Sequence, residues 1–436
     1  MFAAVLVGGP GPTPGQTTGT EPAADSPVIA AQRLAAQYDY VGAAKLLAHD
    51  PSAIAKKALA GIKADQAQTR AWADPTEVSH LFYHSLVVDP ARAFAKNQPQ
   101  RVGYAEYMVT IGEFRAQLKQ IYQHGYVLVH PQRLVTKSAN GTMKPATLML
   151  PPGKKPLVLS VDDVNYYEYM TGAGFASNLT LKNGQVTNTY RDARGHDHLG
   201  AYDVPTVIDE FVQKHPEFSY RGDKGILAVT GYNGVLGYRS SVRKYGNTAH
   251  TRSQGQQGKA VADALKAQGW QFASHTWGHI NLTTASLSRI KADTALWDSE
   301  VRPIVGPTDE LVYPFGADIS KMPEYSPDNK KFAFLNGTGG FDYFFPIDAS
   351  TPSWSQVTKH AWRQARINVD GLTMQRELDG EKTALENFFN TKSTVDPLRP
   401  LPATAPLTNG GGGPALPGQG RLDALTVPHD ESGPAW

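Results

Sequence analysis

Leu157-Val158-Leu159-Ser160-Val161-Asp162-Asp163 is a run that is apolar but for one serine and ends in two adjacent carboxylates. Behind Pro156, residues 157–161 have the composition of a short strand buried on both faces, the mark of a parallel sheet. Three more runs of this kind follow, Ile226 to Thr230, Gln271 to Ser274 and Leu311 to Pro314. Helical patterns lie between and after them, at roughly 204–214, 258–268 and 285–303. Such alternation builds βα units, and short strands buried on both sides fit an α/β fold of the distorted (β/α) barrel kind. Loops at the C-terminal ends of parallel strands converge on one mouth. Asp162 and Asp163, His275, and Tyr313 to Gly316 all fall at such ends, which predicts a single site.

Working outward, the main domain spans 79–390 and opens on the strand-like run Leu81 to Val88. Thr110 and Glu113 have capping-box spacing, predicting a helix with Phe114, Leu118 and Ile121 as its apolar stripe and Gly125 as its stop. Tyr126 to Val129 resumes as a strand. Residues 29–75 carry Leu34, Tyr38, Leu46, Leu47, Ile54, Leu59 and Ile62 at helical spacing, broken at Asp50-Pro51, and predict a small helical hairpin. Residues 1–28, rich in Gly, Pro, Thr and Ala after Met1 to Val7, read as a leader remnant and linker. A polar insertion at about 172–203 contains His196, Asp197 and His198, which a flexible loop more often leaves solvated than bound to a second metal. From 391 to 436 the chain turns Pro- and Gly-rich and reads as a disordered tail.

With 436 residues and 41% hydrophobic content the chain can bury a large core. A formal charge of +2, with no basic run interleaved with aromatics, argues against nucleic acid, and no transmembrane segment is visible. There is no cysteine. Any metal must therefore be bound through His, Asp and Glu.

His275-Thr276-Trp277-Gly278-His279 supplies two imidazoles four residues apart, which share one side if the second rides a helical turn. With one carboxylate of the Asp162-Asp163 pair they make the three protein ligands of a catalytic zinc site, and the other carboxylate is left to handle a proton. No glutamate stands between the histidines, unlike His-Glu-x-x-His, so the base must come from elsewhere. Tyr166, Tyr167, Tyr169 and Trp277 either line a substrate groove with their aromatic faces or pack under the insertion.

Together, Ser160-Val161-Asp162-Asp163 and His275-Thr276-Trp277-Gly278-His279 resemble the first two motifs of the polysaccharide deacetylase family, the NodB-type carbohydrate esterases of family four, over about residues 105–320. The resemblance implies a metal-dependent hydrolase that removes N-acetyl groups from amino sugars of a polysaccharide. It implies Asp163, His275 and His279 as ligands of one divalent ion, zinc by default with cobalt or nickel possible, and Asp162 as general base. Val312-Tyr313-Pro314-Phe315 matches the third motif, implying a backbone oxyanion donor at Phe315 and Tyr313 at the substrate with Tyr166 and Trp277. Val312 stands where the family has an arginine that holds the base, and Arg363 and Arg366 are the candidate replacements, Arg366 favoured. The family's terminal histidine motif is absent, leaving Asp370 or His360 as stand-ins. Export to the cell envelope or beyond, with the leader truncated, follows from the resemblance. Two alternatives stay open: a glycan-binding pseudoenzyme of the same fold, and an amidase or deacylase on a non-sugar substrate.

Overall fold

A computed structural model describes residues 26–400 apart from Ala73, Lys321 and Met322. Residues 1–25 and 401–436, which hold most of the expected leader and tail, lie outside it. Its centre is a curled, mostly parallel sheet in the order 343–345, 310–312, 271–274, 226–229, 155–161, 79–83. The run 362–368 joins the two ends of that sheet. Its first half, Trp362–Gln364, pairs with Tyr343–Phe345, and its second, Ile367–Asn368, pairs with Ser79–Tyr83, all in parallel. The result is a distorted barrel with helices outside it. Tyr126–Leu128 adds a parallel strand along the start of Lys155–Val161.

Period-two alternation sorts the strand residues between an outer and an inner face. Leu157, Leu159 and Val161 face outward with Leu227 and Val229 against helix residues Val261, Leu265 and Trp297. Val158 joins Ile226, Ala228, Ala273, Val312, Tyr343 and Trp362 in the other cluster, which fills the barrel interior. That interior cluster runs on into Ala31, Tyr38, Ala43, Leu47 and Ile62 of the N-terminal segment, so the segment packs on the main domain. Its helices are three, Pro27–Ala36, Tyr40–Leu47 and Ala53–Gln68, rather than the two of a hairpin. The unforeseen break is at Tyr38, in the left-handed region at φ 65°, with Asp39 capping the second helix.

The expected capping box is present on Ile111–Gln123: Glu113 N–H donates to Thr110 Oγ1 and Thr110 N–H to Glu113 Oε2. Gly125 ends the turn at φ 83°, where a Cβ would lie 2.4 Å from the Gly153 carbonyl oxygen. Glu113 has a second task that changes the reading of the tail. Arg399 donates from Nε to its Oε1 at 2.7 Å, and both side chains are fully buried. Residues 391–400 are therefore packed, with Thr391–Thr394 a helical turn, and the ordered chain extends past the expected boundary.

The insertion is also more regular than a flexible loop. It forms a three-stranded antiparallel sheet of Ala176–Lys182, Gln185–Arg191 and Asp197–Gly200. Asn183 and Gly184, both at positive φ, make the two-residue turn that hairpin twist requires. His198 and His196 turn to Asp192, and Asp197 pairs with Arg191, so the three do not converge on a metal.

Candidate metal centre

Asp162 and Asp163 are neighbours on a strand, and a continued strand would send them to opposite faces. The chain avoids this at Asp163, whose φ of 59° turns it out of the extended conformation. Asn165 clamps the turn: its side-chain N–H groups donate to the carbonyls of Thr230 and Gly234, and its Oδ1 accepts from Thr230 N–H. Both carboxylates then face the histidine loop. Asp162 Oδ2 lies 3.9 Å from His275 Nε2, and Asp163 Oδ2 lies 3.9 Å from His279 Nε2.

The histidine loop is not a helical turn. Thr276 and His279 both have positive φ, at 58° and 52°, so two left-handed residues bring the imidazoles together, with ring centroids 4.9 Å apart. The loop is held by Asp293 on the Leu287–Glu300 helix, whose carboxylate accepts from Trp277 N–H at 2.7 Å and Gly278 N–H at 2.8 Å. Thr276 Oγ1 accepts from Ile280 N–H. Of the nine non-glycine residues with positive φ among those described, Asp163, Tyr166, Thr276, His279 and Phe315 belong to this site or flank it. Strain of this kind persists where surrounding structure over-determines it, and it gathers at functional sites.

Asp163, His275 and His279 each offer one ligand atom, all within 4.8 Å of one another, and all three residues are buried. Two donors bound to one tetrahedral ion at ~2.1 Å lie about 3.4 Å apart, so the observed spacing closes with small side-chain shifts. The donor chemistry fits as well. His275 Nδ1 donates to the Val312 carbonyl at 2.9 Å, which leaves the Nε2 lone pair facing the group. Burial pushes both imidazoles down to about 4, so each is neutral and able to ligate at pH 7. Tyr167 donates to Asp163 Oδ1 at 2.5 Å and accepts from Thr230 Oγ1 at 2.8 Å, leaving Asp163 Oδ2 toward His279. The group can hold a metal ion.

Beside it sits Asp162, almost fully buried. Burial opposes its charge, but the Arg366 guanidinium, with His275 and His84, outweighs that and holds the carboxyl below the usual aspartate range. Arg366 Nη1 donates to Asp162 Oδ1 at 2.7 Å, and its Nε donates to the Phe345 carbonyl. The guanidinium lies over the Phe82 ring at 4.2 Å. Arg363 instead pairs with Asp318.

His84 escaped the sequence reading. It is the first residue past the Ser79–Tyr83 strand, half-buried, and it interacts electrostatically with both Asp162 and His279. Its position at a strand end in Leu81 to Val88 was the available signal. Tyr167 was named, but its hydroxyl contact with a ligand carboxylate has no sequence signature.

The remaining residues fall elsewhere or into packing. The Phe315 ring meets His279 edge-on at 4.5 Å, and its backbone at φ 60° sits in the turn after the Glu310–Val312 strand. Tyr313 is buried, its hydroxyl 2.7 Å from that of Tyr325. Tyr166 is buried too, its hydroxyl accepting from Asn188. Neither therefore lines an open groove. Trp277 lies against Gly231 and donates its indole N–H to Glu300, so it anchors the loop. Asp370 caps the Gly371–Leu378 helix, and His360 precedes the Trp362–Gln364 strand, at the end away from the site.

No protein-family model matches the sequence, and no curated protein matches it. Among solved structures, the chain is similar to Streptococcus pyogenes deacetylase PplD in complex with acetate, at 16% identity over 71% of this chain and 100% of that one, with a TM-score of 0.35. A superposition that loose carries no functional inference.

Proposed function

We propose that the protein is a metal-dependent N-deacetylase on a NodB-type barrel, acting on acetylated amino sugars of a polysaccharide outside the cytoplasm. The observation that carries the reading is an ionised, arginine-held Asp162 facing the same point as two neutral imidazoles and Asp163. A divalent ion on Asp163, His275 and His279, zinc by default, supplies Lewis acidity when bound. Asp162 takes the proton from the attacking water as the new C–O bond forms at the acetyl carbon. Arg366 keeps that carboxylate ionised and aimed. The Phe315 backbone N–H donates to the developing oxyanion. His84 returns a proton to the amine nitrogen as the C–N bond breaks, so acetate and free amine leave.

Arg366 and His84 also bear on the pseudoenzyme alternative. That reading drew on the missing family arginine and terminal histidine, and the Arg366 ion pair with Asp162 and the nearby His84 imidazole weigh against it. The glycan substrate and the exported location rest on the motif resemblance. Tyr169, partly exposed and stacked on Tyr167 at 5.5 Å, offers an aromatic face one ring from the ligand group.

The test is acetate release from a panel of N-acetylated glycans and small amides, with and without chelator. Release from glycan, lost on chelation and restored by Zn²⁺, is expected, and Asp162→Asn should lower it by about 10²–10⁴-fold with metal retained. Release from small amides alone transfers the site to an amidase. No release from either sinks the deacetylase reading.

A further inference from the structure

The interior faces of the barrel strands change character toward the site. Val158, Ala228, Ala273 and Trp362 are apolar, but His80, Ser160, Gln364 and Arg366, on the strands that meet at the seam, are polar and completely buried. A barrel needs none of them, because apolar side chains of similar volume fill such a space at lower desolvation cost.

Their hydrogen bonds can run in only one direction. Gln364 Nε2 donates to the Val78 carbonyl at 2.9 Å, which turns its Oε1 toward His80. That oxygen is an acceptor only, so His80 Nδ1, 3.1 Å away, carries the proton. Neutral His80 then has a bare Nε2, which accepts the Ser160 hydroxyl at 2.9 Å. With its proton committed, Ser160 presents lone pairs to Arg366 Nη1 at 3.3 Å. The second proton of Nη1 goes to Asp162 Oδ1 at 2.7 Å. The donor-to-acceptor order runs unbroken from Val78 to Asp162, while Arg366 Nη2 has no acceptor among the described residues.

We infer that His80 is a positioning residue, which acts through Ser160 to fix the rotation of the Arg366 guanidinium against Asp162. Arg366 swings about its last bonds unless Nη1 is held on both sides. Phe345 holds Nε and Phe82 holds the plane, while Ser160 sets which proton meets Asp162. Ser160 can accept from arginine only while its own proton is taken by His80. A protonated imidazole would put a second N–H against that hydroxyl and a second charge beside the guanidinium. Burial, and Arg366 after it, hold the imidazole well below its ordinary range, so it stays neutral.

The role in catalysis rests on the deacetylase reading, and the readouts separate the two. In metal-free protein, ¹⁵N NMR should find His80 as the Nδ1–H tautomer. The Arg366 Nη1 and Nη2 resonances should be resolved, and Ser160→Ala and His80→Phe should each merge them. In the metal-loaded enzyme both variants should lower kcat by about 10–100-fold with KM and metal affinity unchanged. The double variant should be no worse than the poorer single one, since both cut one chain. An Nε2–H tautomer, or resonances indifferent to Ser160→Ala, overturns the inference whatever the activity. Merged resonances in a protein without deacetylase activity uphold the positioning and overturn the function. Ser160→Ala removes one oxygen, which guards against a His80→Phe that fails to fold.

Discussion

The two ends of the barrel each carry a pair of adjacent acids, one of them or both buried, and they treat them in opposite ways. At the C-terminal ends of the strands, Asp162 and Asp163 sit among Arg366, His84, His275 and His279. At the N-terminal ends, Asp309 is partly exposed with Lys137 nearby, and the buried Glu310 has only Gln132 to favour its charge, donating to Oε1 at 2.8 Å. Burial acts on both pairs. At the site, cationic and ligating partners outweigh it and Asp162 stays charged. At the opposite end nothing does, and burial, with Asp309 adding to it, pushes the Glu310 carboxyl up to about 8. A buried carboxylate keeps its charge only where a partner is built for it.

The largest break in that contrast comes from removing a ligand. His275→Ala should abolish binding of the single divalent ion, read by metal analysis of the purified chain, while the thermal midpoint of the metal-free protein moves little. Retained metal would remove His275 from the ligand set. A smaller step is Tyr167→Phe, which deletes the hydroxyl on Asp163 Oδ1 and leaves the ring stacked between Tyr169 and Tyr232. Metal affinity, titrated with Zn²⁺ against a competing chelator, should fall by about 10–100-fold. Equal affinity would show that Asp163 needs no second partner.

Why the sequence exposes some of this and not the rest follows from the range of each cause. The apolar runs at 157–161, 226–230 and 271–274 became strands because a parallel strand needs only local composition to be recognised. The capping box was legible for the same reason, its two partners being three residues apart. Arg399 on Glu113 spans 286 residues and lies in a stretch whose composition suggests disorder. The Asn183-Gly184 turn of the insertion stands in the sequence, but the polarity of the segment around it points the other way, to a solvated loop. At the site, residue types and the strand-end rule name Asp162, Asp163, His275 and His279. They say nothing of how two adjacent aspartates face one point, which depends on a left-handed Asp163 and an Asn165 clamp from across the fold. Nor does the sequence show that the Tyr313 and Tyr166 hydroxyls turn to Tyr325 and Asn188, because adjacency to a motif does not fix the direction of a side chain.

The smallest expected effect sharpens the contrast from the structural end. Glu310 ionises near the ordinary 4.5 in the unfolded chain but only at about 8 in the folded one. Between those values the folded state binds the extra proton, so stability falls as pH rises through the window, by on the order of 1 kcal/mol per pH unit. Below pH 4.5 the contribution is fully present; above about 8 it is gone. Glu310→Gln keeps an oxygen for Gln132 and removes the titration, so urea unfolding of the variant should lose this slope and the variant should gain on the wild type as pH rises through that window. Deacetylation should not change, since Glu310 opens its strand at the end opposite the metal group and its carboxylate meets Gln132. A difference between Glu310→Gln and wild type that stays flat across that window would mean that Glu310 is ionised in the folded state, and that the two ends of the barrel handle their acids alike.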